Sequence, residues 1–306
     1  MSDPLNPSAS ENISLHIGAH KTATTHLQHN LRRQRSVLRD NGIAFYGPRD
    51  LRSAKLDVRG RLGIGRASDE DPAKVFAALK GDAARLVLSD ENWIAKAHPP
   101  SLPPDAPLYA RATQYLDHFA QTAPQVQFDL FLAVRDYAPF YQSLYSQMFY
   151  GGEFISLPDY MAAHAYEPMT WCDPVRALTA LPNVASLTLW RYEDYRTVAP
   201  RILSSLLGEV AAKQITLNDT VRHGGLSQRA AAELLQLGAP AASGARRVDK
   251  KLKRQIAAEV ASKFPAGEEF PKISIWNAAD LAASKARYAQ DLEVISTMPK
   301  VTILWV

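Results

Sequence analysis

A glycine, a lysine and three threonines meet at one chain reversal near the start of the sequence, and residues of these types bind anions. Ile13-Ser-Leu-His-Ile17 alternates and is β-branched, which predicts a short strand. It runs into Gly18-Ala-His-Lys-Thr-Ala-Thr-Thr25, and a helix follows with Leu27, Leu31 and Leu38 broadly on one side. Backbone N–H groups of a turn that opens a helix form an anion site, assisted by the positive helix end. Lys21 adds a point charge, and Thr22, Thr24 and Thr25 add hydroxyl donors. The stretch is not a Walker A loop, which needs G-x-x-x-x-G-K-[ST]. With Lys21-Thr22 as the terminal pair, the two glycine positions hold Leu15 and His20.

A second group lies far along the chain. Gln125 to Val134 is the strongest predicted strand, and its run Leu130-Phe-Leu-Ala-Val134 is continuous, as for an interior parallel strand. It leads to Arg135, with Ser143 eight residues later on the next helix. Magnesium-assisted phosphoryl transfer would favour an aspartate at this strand end. The cation instead stands at the ligand-binding edge, and Asp136, one step on, should face the other way. Helical side chains tilt toward the helix N-terminus, so Arg135 and Ser143 can converge on one phosphate. The plainer alternative is an Arg135–Asp136 pair with a surface serine.

A hydroxyl acceptor needs a base within hydrogen-bond reach. Arg85-Leu-Val-Leu-Ser89 reads as a buried strand leading into Asp90-Glu91-Asn92-Trp93, which places two carboxylates at its carboxyl end. Glu91 is the candidate base and Asp90 its alternative, although either could simply cap the next element. His16, His20 and His26 surround the loop and titrate near neutrality, so they stay open as bases. Cys172 is the single cysteine, and no H-E-x-x-H spacing occurs, so no metal site is indicated.

The stretch Leu15-His-Ile-Gly-Ala-His-Lys-Thr-Ala-Thr-Thr-His-Leu-Gln28 resembles the phosphosulfate-binding loop of PAPS-dependent sulfotransferases, above all the bacterial branch with H-x-G-x-x-K-T-G-T-T-x-L-Q. The resemblance implies a P-loop-NTPase-like sheet and a PAPS donor that leaves as PAP, without a required metal. It implies that Lys21 contacts the sulfuryl group and the bridging oxygen. The 5′-phosphate would be held by Gly18, His20, Thr22, Ala23, Thr24 and Thr25, and the 3′-phosphate by Arg135 and Ser143. Glu91 falls where several of these enzymes carry a glutamate base. Ala23 stands where the family usually has glycine, which is harmless with helical dihedrals and costly with positive φ. Arg191-Tyr-Glu-Asp-Tyr195 resembles the family's Y-E-D-L segment, mainly a structural one. Arg222 or His223 is a candidate for a further phosphate contact.

These residues need a frame. Ile43-Ala-Phe-Tyr46 and Val184 to Trp190 add strands, and Val301 to Val306 adds an edge strand. Helices are predicted at 73–80, 108–121, 138–150 and 198–208, and mostly helix from residue 226. Gly47 to Pro72, with Gly60, Gly63 and Gly65 among many charges, reads as a long mobile loop. Strands alternating with helices argue for an α/β fold with a parallel sheet covered on both faces. Residues 1–11 read as a flexible tail and 12–306 as one domain.

The 306 residues are 46% hydrophobic and 22% charged, which suits a globular chain and excludes a disordered one. A net charge of +4 is too mild for a nucleic-acid binder. The basic cluster from Arg246 to Arg254 reads as a solvated helix face. No signal or membrane-spanning run is visible, so the expected home is the cytoplasm. A small-molecule, lipid or carbohydrate acceptor suits the long connections, and the oligomeric state is open. Two other functions compete: a P-loop kinase using ATP and magnesium, and a non-catalytic nucleotide-binding module.

Overall fold

Apolar, β-branched stretches too short for helices pair side by side into one six-stranded sheet. The computed structural model describes residues 12–97, 102–167, 169–218, 225–238 and 249–306, so the expected tail lies outside the described residues. The strands are β1 (Ile13–Gly18), β2 (Ile43–Tyr46), β3 (Arg85–Ser89), β4 (Phe128–Val134), β5 (Val184–Arg191) and β6 (Val301–Leu304). Their order is β2-β3-β1-β4-β5-β6, and every neighbouring pair is parallel. The fold is α/β, consistent with a P-loop-like architecture.

Burial on both faces explains the continuous apolar runs. Along β4, Leu130, Leu132 and Val134 enter one core cluster, while Phe131 and Ala133 enter the other. Five helices matter for the site or its supports: α1 (Thr24–Arg33), α2 (Tyr137–Tyr150), α3 (Tyr195–Leu207), α4 (Lys250–Lys263) and α5 (Ala278–Ser296). Gly152, at φ 78°, follows the end of α2, and Gly208, at φ 87°, ends α3, because glycine adopts these conformations without a Cβ penalty. Among the described residues no helix is long and apolar enough to cross a membrane.

The chain direction across the sheet changes at β1. β2 and β3 lie on one side of it and β4, β5 and β6 on the other. In parallel sheets, ligands bind at the strands' carboxyl ends beside such a switch. The residues after β1, β3 and β4 therefore gather at one edge, although they are distant in sequence.

Two expectations need correction. Residues 47–72 are not a loop throughout: helices span Pro48–Leu51 and Val58–Arg61. Leu51, Val58 and Leu62 are at most 1% exposed and join the core that holds Leu15 and Ile17. The break between the two helices resets their phase, so these apolar residues show no single period. Gly63 and Gly65 carry the turn beyond them, at φ 74° and 84°. The helix expected at 108–121 is confined to Gln114–Thr122, because Tyr109 adopts φ 53° and residues 109–113 form turns.

Leu62→Ala tests the first correction. A residue packed at 0% exposure should lose about 2–5 kcal/mol of unfolding free energy in a denaturant titration. A loss below about 0.5 kcal/mol is the surface-loop result.

Candidate active site

At the end of β1 the backbone departs from extended geometry. Gly18 has φ +109°, and a Cβ there would lie 3.1 Å from the Cβ of Glu91, so glycine permits the close approach of these two strand ends. The Ala19 N–H donates to the Ala133 carbonyl at 3.0 Å, and the His20 N–H donates to the Tyr109 hydroxyl at 3.1 Å. Lys21 and Ala23 then adopt φ 61° and 64°, with Thr22 between them. The first turn of α1 closes onto the Ala23 carbonyl, from His26 N at 3.0 Å and Leu27 N at 3.2 Å. The successive N–H groups of Lys21 through Thr25 have no acceptor among the described residues. Left-handed residues within a run of free amides form a nest that suits an anion.

Two cations border this nest. Lys21 Nζ donates to Gln147 Oε1 at 3.0 Å, and burial together with the nearby Arg135 charge lowers its pKa. Arg135 Nη1 donates to the Lys21 carbonyl at 2.8 Å, which ties the end of β4 to the loop. Its guanidinium lies 4.4 Å from the centroid of the Tyr192 ring. Its Nε is buried without a partner among the described residues, which leaves a donor for a ligand. Burial pulls its pKa down, opposed by Tyr192, Glu193 and Asp136. Asp136 instead caps a different contact, accepting from the Ser284 hydroxyl.

Ser143 lies one helical turn before Gln147, on the same face of α2. Because Gln147 holds Lys21, that face is turned toward the loop. The Ser143 hydroxyl has no hydrogen-bond partner among the described residues. The threonines divide: Thr22 Oγ1 donates to the Ala19 carbonyl at 2.7 Å, Thr24 is buried and Thr25 is exposed.

The carboxylates take separate roles. Asp90 is 1% exposed and caps the 3₁₀ turn Glu91–Ile94 by accepting from Asn92 N at 2.8 Å. Arg52 reaches it twice, with Nε to Oδ2 at 2.9 Å and Nη2 to Oδ1 at 2.5 Å. Glu91 is more open: Oε1 accepts from Arg52 Nη2 at 2.8 Å and Oε2 from Gln28 Nε2 at 3.2 Å. Burial pushes the Glu91 carboxyl up, but Arg52, its own backbone N–H and Gln28 outweigh burial and hold it below the usual range. It is therefore ionised at neutral pH, and Asp90 is structural.

The loop histidines also separate. His16 is 1% exposed, bonded through Nδ1 to the Ser89 hydroxyl at 2.7 Å, and burial lowers its pKa to about 4. His26 sits between the Tyr195 hydroxyl at 2.9 Å and the Asn218 carbonyl at 3.0 Å. Both belong to packing. His20 stays at the site beside Glu91. Arg222 and His223 lie outside the described residues.

The sequence reading missed several contributors. Gln147 could have been found at the helical spacing from Ser143, and Tyr192 within the Tyr-Glu-Asp segment. Arg52 and Tyr109 come from irregular connections and carry no sequence signal. Together the loop and its neighbours can bind an anionic group at the nest and hold an ionised carboxylate on the other side of Gly18.

Two changes probe this geometry. Ala23 at φ 64° is on the costly branch, so Ala23→Gly should raise unfolding free energy by about 0.5–1 kcal/mol, net of the extra chain entropy of glycine. Unchanged or lower stability in a denaturant titration would contradict the left-handed assignment. Arg52→Gln removes the guanidinium that opposes burial at Glu91. The carboxyl should then titrate at higher pH by side-chain ¹³C NMR, and acid should protonate it earlier than in the native protein. An unmoved titration rules Arg52 out as the cause. No protein-family model, curated protein or solved structure matches the chain, so its chemistry is read from these residues.

Proposed function

We propose that this chain is a sulfotransferase that moves the sulfuryl group of PAPS to an acceptor hydroxyl or amine, leaving PAP. One observation carries the reading: free amides from Lys21 to Thr25 bordered by Lys21 and Arg135, neither of which has a carboxylate ion-pair partner among the described residues. The sequence resemblance of the same loop supports it. The acceptor would be a small molecule, a lipid headgroup or a sugar, and the reaction would take place in the cytoplasm.

The residues fit the donor's two phosphate ends. The nest amides and the Thr24 and Thr25 hydroxyls would hold the 5′-phosphate, the Thr22 hydroxyl being spent on the Ala19 carbonyl. Arg135, through its Nε, and Ser143, through its hydroxyl, both without a partner among the described residues, would hold the 3′-phosphate. PAPS supplies the sulfuryl group on a phosphate leaving oxygen. As the acceptor oxygen bonds to sulfur, the bond from sulfur to the bridging oxygen breaks and the acceptor proton passes to Glu91. Negative charge then develops on the departing phosphate, where Lys21 neutralises it. Lys21 gives one of its three N–H donors to Gln147 and keeps two for this. A sulfuryl group carries less negative charge than a phosphoryl group, so fixed cations and amides suffice where kinases use magnesium.

Three variants separate these roles. Lys21→Ala should lower turnover about 10²–10³-fold with a smaller change in PAP affinity. Arg135→Ala should chiefly abolish PAP binding. Glu91→Gln should lower transfer about 10²–10⁴-fold and leave PAP affinity intact. Equal losses of turnover and affinity in all three would contradict this assignment.

A further inference from the structure

Tyr109 takes no part in the chemistry above, yet its placement is costly. It is 1% exposed and holds φ 53°, a left-handed backbone that a side chain disfavours. Such strain at a buried residue beside a site points to a role there. Its ring stacks on His20, with centroids 6.0 Å apart, and packs on Trp171 at 5.8 Å. Its hydroxyl touches His20 twice, accepting from the backbone N–H at 3.1 Å and meeting ring Nδ1 at 3.0 Å.

The hydroxyl proton fixes the imidazole. Burial raises the Tyr109 pKa, so the phenol keeps its proton at neutral pH. Among the described residues, His20 Nδ1 is the acceptor it meets. Were Nδ1 protonated, the hydroxyl would accept twice and its own proton would be buried without a partner, an arrangement native proteins avoid. The groups around the His20 ring are Glu91, Asp90, Arg52 and Asn92. Burial outweighs the two carboxylates and keeps the ring neutral at pH 7. Asn92 reaches the ring with a side-chain hydrogen bond that favours its protonated form, against burial.

We propose that Tyr109 holds His20 as the Nε2–H tautomer, so that His20 donates a hydrogen bond to the bound anion instead of accepting the acceptor's proton. The identity of that anion, a sulfuryl or phosphate oxygen between the nest and Glu91, rests on the sulfuryl-transfer reading. The tautomer does not. Tyr109 is thus a positioning residue, and the base role falls to Glu91 alone.

The test is two-bond ¹H–¹⁵N NMR of the full chain with ¹⁵N-labelled histidine, the His20 signals being those lost in His20→Gln. The expected pattern is a neutral Nε2–H imidazole at pH 7 that gains its proton only below the ordinary histidine range. In Tyr109→Phe it should shift toward a mixture of tautomers. An Nδ1–H or charged ring in the native protein, or a Tyr109→Phe pattern identical to it, overturns the inference. PAPS turnover gives a second readout, because glutamine offers an amide N–H near the place of Nε2 but cannot act as a base. His20→Gln should exceed His20→Ala by at least about tenfold, and equal loss in two folded variants also overturns it. Absence of turnover in the native protein would sink the transfer reading instead, while the tautomer would still decide this one.

Discussion

Parallel pairing of β1 with both β3 and β4 is the constraint on which the site depends. Parallel strands start and end together, so residues that follow each strand emerge at the same edge. The anion loop after β1, the carboxylates after β3 and Arg135 after β4 are neighbours for that reason alone. One bond secures the arrangement: Arg135 donates to the Lys21 carbonyl, so the cation at the end of β4 also shapes the loop it would serve. Gly18 secures the other side, where any side chain would press on Glu91.

Within that frame the charges are kept apart. Lys21 and Arg135 lie on the α2 side and are partnered by neutral groups, an amide oxygen, a carbonyl and an aromatic face. Such partners orient a cation without cancelling it, which leaves its charge for an anion. Glu91 lies on the β3 side and is partnered by Arg52 and Gln28, which keep it ionised. Asp90 absorbs most of the Arg52 contact and is buried beneath it. Among the described residues, neither Lys21 nor Arg135 forms an ion pair with a carboxylate.

Much of this was legible in the sequence. The strands were readable because buried parallel strands are continuous apolar runs, as in Leu130 to Val134. Lys21, Arg135 and Glu91 were readable because each stands immediately after such a run or within the turn that follows it. Their surroundings were not. The conformation of Ala23 depends on backbone dihedrals that residue type does not report, and here it took the form alanine disfavours. Arg52 sits in a segment whose two short helices are out of phase, so neither its fold nor its reach to Asp90 has a periodic signature. Tyr109 acts through a turn in a proline-rich connection, where the partner is chosen by tertiary packing alone.

The central claim is that the loop and Arg135 bind a nucleotide carrying phosphates at both the 5′ and 3′ positions without metal. Calorimetric titration with PAP, beside ATP with and without magnesium, tests it most directly. Micromolar, metal-free binding of PAP that is lost in Arg135→Ala is the expected result. Binding of ATP with magnesium and indifference to PAP would contradict it and favour a kinase.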